Sequence, residues 1–225
     1  EDEYEIGALY FEAKRTPEAK RILQNVLRIH PENASAQEQL AVLFESDKDF
    51  DHAIEHYEEA VKGDKNRVAL LKKIGDLYLA LGKQDKSITS YESYLKVKKD
   101  LPTARTLLDL YKKLDRRADI RRLYLEIEIL DPRNADNLFA LGKMDYENNK
   151  ANEALGAFSK VLKINPSHFD ALFLSGKINL EQKNYKAAFP NLTAASRVNG
   201  SSLNVDKSLG DLYAATGQPD LAINS

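Results

Sequence analysis

The chain has 225 residues, a formal net charge of −2 with 30% charged side chains, and no cysteine. Without thiols there is no disulfide framework, cysteine nucleophile or thiolate metal site, and such a composition suits cytoplasm and periplasm alike. No apolar run approaches the ~20 residues needed to cross a bilayer, so no membrane span is expected.

Apolar residues recur at i, i+3 and i+4 in short stretches, which predicts amphipathic helices throughout, and the pattern returns about every 34 residues. Residues 1–33 hold the first helix pair, with Thr16 as N-cap and Pro17 in the first turn of the second helix. Residues 34–67 hold the next, with Ala41, Ala53 and Ala60 where two helices must touch. The repeat at 68–100 is one residue short and has Gly82 in its turn, and 101–134 opens with Pro102 in a tolerated first-turn position. The repeat at 135–168 is the clearest. Leu138, Leu141 and Gly142 share one helix face, Ala154, Phe158 and Val161 share another, and Asn148-Asn149-Lys150 forms the break. Pro166 ends the second helix. Gly142 and Ala154 carry almost no side chain, so their helices can approach closely while Leu141 and Phe158 fill the flanks. Residues 169–202 repeat this unit, and 203–225 stop inside a second helix. An uncapped apolar stripe at each end predicts an excerpt of a longer array.

With Ala135 as place 1, the eighth place reads Gly7, Ala41, Gly75, Leu108, Gly142, Gly176 and Gly210. The eleventh reads Tyr10, Phe44, Tyr78, Tyr111, Asp145, Asn179 and Tyr213. The twentieth reads Ala19, Ala53, Ser87, Ile120, Ala154, Ala188 and Ala222, and Pro31, Pro132 and Pro166 stand at the thirty-second. This pattern resembles the tetratricopeptide repeat, although Leu71, Leu138 and Leu172 stand where the family usually has Trp. The resemblance implies an all-α fold, an α-solenoid of tandem helix-turn-helix repeats in a right-handed superhelix. It implies one array over residues 1–225, with a concave groove lined by the first helix of each pair.

Two irregularities carry expectations of their own. Larger residues fill small places at Ser87, Tyr94, Leu108, Ile120 and Ile127, which predicts wider helix separation and a local change of curvature over residues 87–127. Pro190 lies well inside a helix and should kink it near Lys186.

In the family, places 2, 5, 9, 12 and 13 face the groove. Here they give acidic and aromatic residues in the first two repeats (Glu1, Tyr4, Phe11, Glu12, Glu38, Glu45). The middle repeats give Lys72, Arg105, Lys112 and Lys113 beside Asp76 and Asp109. Repeats five and six give one set twice, with Phe139, Lys143 and Tyr146 answered by Phe173 and Lys177. Aromatic anchors with neighbouring lysines one repeat apart suit a peptide or helix of another protein bearing apolar and acidic groups. The residues for clamping a chaperone C-terminal carboxylate are incomplete, since Lys72 is followed by Asp76 rather than Asn.

No nucleophile with a base, and no phosphate-binding glycine loop, stands at a useful spacing. Neither an enzyme nor a small-molecule substrate is therefore expected. His52 and His56 share a helix face at metal-pair spacing, but no third ligand is evident, so solvated surface histidines and no metal or other cofactor are expected. The expected role is a non-enzymatic scaffold for protein–protein interaction. Residues 1–67 carry a net charge of −7 and residues 96–122 one of +6, which offers self-association within a larger assembly as the alternative. A helical-repeat RNA binder is the remoter alternative, because nucleic acid needs a continuous basic stripe and stacking aromatics.

Overall fold

The computed structural model describes residues 2–218, 221 and 222, and all regular structure among them is helical. The chain folds as two compact units, Glu1–Asp115 and Arg116–Ser225. The first contains α1 (Asp2–Glu12), α2 (Thr16–Ile29), α3 (Ala34–Ser46), α4 (Phe50–Gly63), α5 (Val68–Ala80), α6 (Gln84–Val97) and α7 (Leu101–Lys113). The second contains α8 (Arg117–Leu130), α9 (Ala135–Glu147), α10 (Ala151–Ile164), α11 (Phe169–Glu181), α12 (Tyr185–Val198) and α13 (Leu203–Ala215).

Within each unit a helix packs chiefly on the helices before and after it in sequence, so α3 sits against α4 as α9 does against α10. A recurring turn produces this order. The residue two places beyond each odd-numbered first helix has a left-handed backbone: Lys14, Lys48, Gly82, Asp115, Asn149, Lys183 and Gly217, with φ between 48° and 75°. The next N–H then reaches back five residues to a carbonyl, as Asp49 does to Phe44 (2.9 Å) and Lys150 to Asp145 (2.8 Å). This closes the helix end and sends the chain back along the helix it has just left.

The small places behave as the spacing predicts. Ala19, Ala53, Ala154 and Ala188 are wholly buried. A Cβ added at Gly142 would lie 2.7 Å from Phe158 Cε1 and 3.0 Å from Ala157 Cβ, so α9 and α10 pack glycine against ring. Gly176 repeats this against Leu192 at 2.6 Å. Wider separation is not found at Ser87. A Cβ on Gly75 would stand 2.6 Å from Tyr91 Cε1, and Ser87 Oγ donates to the Gly75 carbonyl at 2.9 Å. The hydroxyl finds a backbone acceptor, so the larger residue is accommodated at the same close approach.

Local starts and stops follow side-chain chemistry. The carboxamides of Asn33 and Asn134 accept from the backbone N–H of Ala36 and Asn137 (3.0 and 2.9 Å), and the Asp100 carboxylate accepts from Thr103 N–H (2.9 Å). The N-cap of α2 is Arg15 rather than Thr16, which is already helical, with Pro17 in the first turn. Helix α12 continues through Pro190 from Tyr185 to Val198. Just beyond the proline, Asn191 Nδ2 donates to the Ala187 carbonyl at 2.9 Å.

Candidate functional site

The residues proposed for binding fall in both units, and each unit shows a different degree of pairing. In the first, Lys72 Nζ lies 2.8 Å from Asp76 one helical turn later on α5. Asp76 also accepts from Tyr91 on α6 at 2.7 Å. Burial, then this hydrogen bond, pushes the Tyr91 phenol well above its usual range. Arg105 and Lys112 are exposed on α7, with Lys112 4.0 Å from Asp109. Lys72 is thus held by a carboxylate that a buried tyrosine also holds.

The same device recurs beside it. Tyr57, buried on α4, donates to Glu45 on α3 (2.7 Å), and Lys73 Nζ approaches Glu45 at 3.0 Å and sits 5.4 Å from the centre of the Tyr57 ring. Burial, then Glu45, raises the Tyr57 phenol far above its usual range. Tyr78 donates to Glu58 (2.8 Å) and is pushed up to about 12, again by burial first. These phenols remain protonated donors that lock one helix to another, so Glu45, Glu58 and Asp76 serve as structural acceptors. A tyrosine and a carboxylate twelve to twenty positions apart look unrelated in sequence, and only the hairpin brings them together.

In the second unit, α9 and α11 present the pair of similar sets. Phe139 is half-buried, its ring 4.8 Å from His168 and 5.7 Å from Phe158. Phe173 is half-buried too, stacked on Phe169 at 6.3 Å and packed on the cluster around Leu172 and Leu209. Tyr146 reaches from α9 to α11, where its hydroxyl donates to Glu181 Oε1 at 3.1 Å. Lys177 stands 5.7 Å from the Tyr146 ring centre and 3.9 Å from Glu181. Tyr146 and Lys177 are therefore brought together, whereas the two phenylalanines serve the core with one part of each ring. Lys143 is exposed and makes no ion pair among the described residues.

One group escaped sequence reasoning. Asp145 stands where most repeats carry an aromatic ring and is 2% exposed. Its carboxylate accepts from Arg121 on α8 through Nε at 2.6 Å and Nη2 at 3.3 Å, and that pairing raises the Arg121 guanidinium further above its usual range. The signal was an acid at a place filled by Tyr or Phe in five of the seven repeats.

Of the two histidines expected at the solvated surface, one departs from that expectation. His52 is exposed beside Asp49, at 2.8 Å, but His56 is half-buried. His56 stacks on Phe44 at 5.3 Å, places Nδ1 2.6 Å from Gln37 Oε1, and has its pKa lowered chiefly by burial. Among the described residues, no three His, Asp or Glu side chains converge as a metal site, and no helix is long and apolar enough to cross a membrane.

Residues 4–68 and 73–101 match models of the tetratricopeptide repeat, and residues 120–195 match a model described as anaphase-promoting complex, cyclosome, subunit 3. No curated protein matches the sequence. Among solved structures, the chain is similar to one of Naa15/Naa10 bound to HypK-THB, at 17% identity and a TM-score of 0.64, covering 99% of this chain and 35% of that one. A tetratricopeptide repeat protein from Parabacteroides merdae aligns at 14% identity and a TM-score of 0.50, over 99% of this chain and 90% of that one. YrrB, described as a TPR protein with an unusual peptide-binding site, aligns at 18% identity and 0.48, over 81% of this chain and 95% of that one. With these family matches over thirteen described helices that alternate in the repeat's order, the chain belongs to the tetratricopeptide-repeat family.

Proposed function

We propose that the protein is a non-enzymatic interaction scaffold that holds an acidic, partly apolar peptide or helix of another protein on the α9–α11 face. The observation that carries this reading is the bridge from Tyr146 to Lys177 and Glu181 across two successive repeats, with Lys143 exposed on the same α9 and without an ion pair among the described residues. Tyr146 lends a ring whose position is fixed by its hydroxyl, so little side-chain entropy remains to be lost on binding. Lys143 supplies a charge that no carboxylate among the described residues pairs with. The Lys72 region in the first unit is a weaker docking surface, because Asp76 already neutralises its lysine. Phe139 and Phe173 would contribute the free edges of half-buried rings rather than whole side chains. Membership of a repeat family supports a binding role by analogy with fold alone.

The test is selection of a random peptide library on the immobilised chain, followed by titration of the enriched peptides. Enriched sequences should pair Asp or Glu with an apolar residue, and Lys143→Glu with Lys177→Glu should weaken them at least tenfold while the circular-dichroism melt stays in place. Peptides that bind the charge-reversed chain equally well would overturn the assignment.

A further inference from the structure

Repeat six breaks the pattern at two neighbouring places. The seventh place is Ile6, Leu40, Ile74, Leu107, Leu141 and Leu209 in the other repeats, but Ser175 here. The eleventh place, aromatic in five repeats, is Asn179. Both lie on α11 and are buried, at 4% and 7% exposure. Losing a leucine and an aromatic ring removes the volume that elsewhere fills the space between helices. A cavity of about 400 Å³ remains, walled by α10, α11 and α12 and open to solvent past Ser159 and Lys163.

The chemistry of that space is specific. The Asn179 side chain is spent within the protein, donating to the Ser175 carbonyl (2.8 Å) and accepting from Asn184 (3.2 Å). The Asn191 amide donates to Ala187, which holds that side chain against α12. The Ser175 hydroxyl has no protein partner among the described residues, although it lines the cavity and its residue is almost wholly buried. The hydroxyl opens onto the cavity and is reached by solvent, so an entering acceptor would take its hydrogen bond over from water. Lys163, at the mouth, makes no ion pair among the described residues. Leu155 and Leu162 supply the apolar wall.

From this combination we propose that the α10–α12 notch is a second binding site, distinct from the α9–α11 face, that takes the carboxylate side chain of a Glu or Asp in a partner polypeptide. The methylene stem lies on Leu155 and Leu162, one carboxylate oxygen accepts from Ser175 Oγ, and Lys163 neutralises the charge. A polypeptide is the occupant rather than a free small acid because the notch is open on one side. A lone acid would leave most of its surface in water, whereas a main chain crossing the mouth covers it.

The site is tested on the intact ¹⁵N-labelled chain by titration with the blocked peptide acetyl-Ala-Glu-Ala-amide, its Gln counterpart, and glutarate. The Glu peptide should shift the amide signals of Ser175, Asn179 and Asn191 saturably, and the Gln peptide should bind at least tenfold more weakly. Lys163→Ala should reduce Glu-peptide affinity about tenfold. Ser175→Leu restores the residue other repeats carry, so it should abolish the shifts while the melting temperature holds or rises. Lys143→Glu should leave the shifts unchanged, which separates failure here from failure of the α9–α11 reading. Absence of shifts at millimolar peptide, equal binding of the Gln peptide, or an unaffected Lys163→Ala would overturn the proposal. Glutarate binding as tightly as the peptide would overturn the assignment to a polypeptide.

Discussion

Removing Arg121 tests whether the buried acid in the second unit is compensated by a single partner. The carboxylate of Asp145 is 3% exposed and its cationic partner is Arg121, 2.6 Å away on α8. Arg121→Met keeps much of the aliphatic length but leaves a charged group in the interior. Breaking a buried ion pair from one side costs roughly 3–5 kcal/mol. Arg121 retains 29% exposure, so water reaches part of the site and lowers the expected loss to about 2–4 kcal/mol. Asp145→Asn leaves a neutral amide that still bonds, as Asn179 does at the same place one repeat later, and should cost about 1–2 kcal/mol. In the double variant no buried charge is stranded, so its loss should fall short of the sum of the two single losses by at least about 1 kcal/mol. Urea unfolding followed at 222 nm gives all four corners of the cycle, and a change in slope would show that the array no longer unfolds as one unit. Strictly additive losses, or an Arg121→Met variant within about 0.5 kcal/mol of the parent, would refute the account.

Three further outcomes follow from the packing and the turns. Gly142→Leu forces a side chain into space held by Phe158 and Ala157 and should lower stability by roughly 1–3 kcal/mol, read as a lower urea midpoint. Lys48, at φ 61°, holds a conformation in which Cβ crowds the backbone, so Lys48→Gly should raise stability by roughly 0.5–1 kcal/mol and Lys48→Val should lower it. Burial lowers the His56 pKa below its ordinary 6.5, so the unfolded chain binds the extra proton first. His56 therefore contributes fully above about 6.5, and that contribution fades as pH falls through 6.5 toward the lower folded value. His52, Glu55 and Glu59 act on it from α4, and Gln37 and Phe44 face it from α3. His56→Gln should flatten the fall in melting temperature between pH 7.5 and 5.5, and an unchanged slope would assign that fall to other groups.

Periodicity made the helices legible because each repeat solves the same steric problem with the same residue sizes. Gly142, Gly176 and Ala154 are conspicuous for being small, and their smallness is what the packing uses. The turns were legible only at Gly82 and Asn149. Lys14, Lys48 and Lys183 adopt the same left-handed backbone with residues that advertise nothing, because the hairpin's packing imposes the conformation against local preference. Pairing across helices was hidden for another reason. The Tyr57–Glu45 bond and the His56–Gln37 contact join the two helices of one hairpin, so no spacing rule along one helix reports them. Family resemblance marks Glu45 as facing the groove, but the fold adds that Tyr57 and Lys73 already hold it.

The places where the second unit departs from its own pattern share a physical logic. An aromatic ring at the eleventh place fills volume and needs at most one hydrogen bond. Asp145 and Asn179 fill less and need several, which they obtain from Arg121, Asn184 and the Ser175 carbonyl. A domain that merely needed to stack would not exchange burial worth roughly 1.5–3 kcal/mol per large apolar side chain for such networks twice in succession. At Asp145 the exchange is closed, because the arginine satisfies the acid. At Ser175 it remains open, with a donor facing an accessible cavity and a lysine at its mouth. A closed exchange stabilises one register of α8 on α9, whereas an open one leaves a solvated donor that an entering acceptor can take over from water. Of the two departures, only the open one is built to receive a partner.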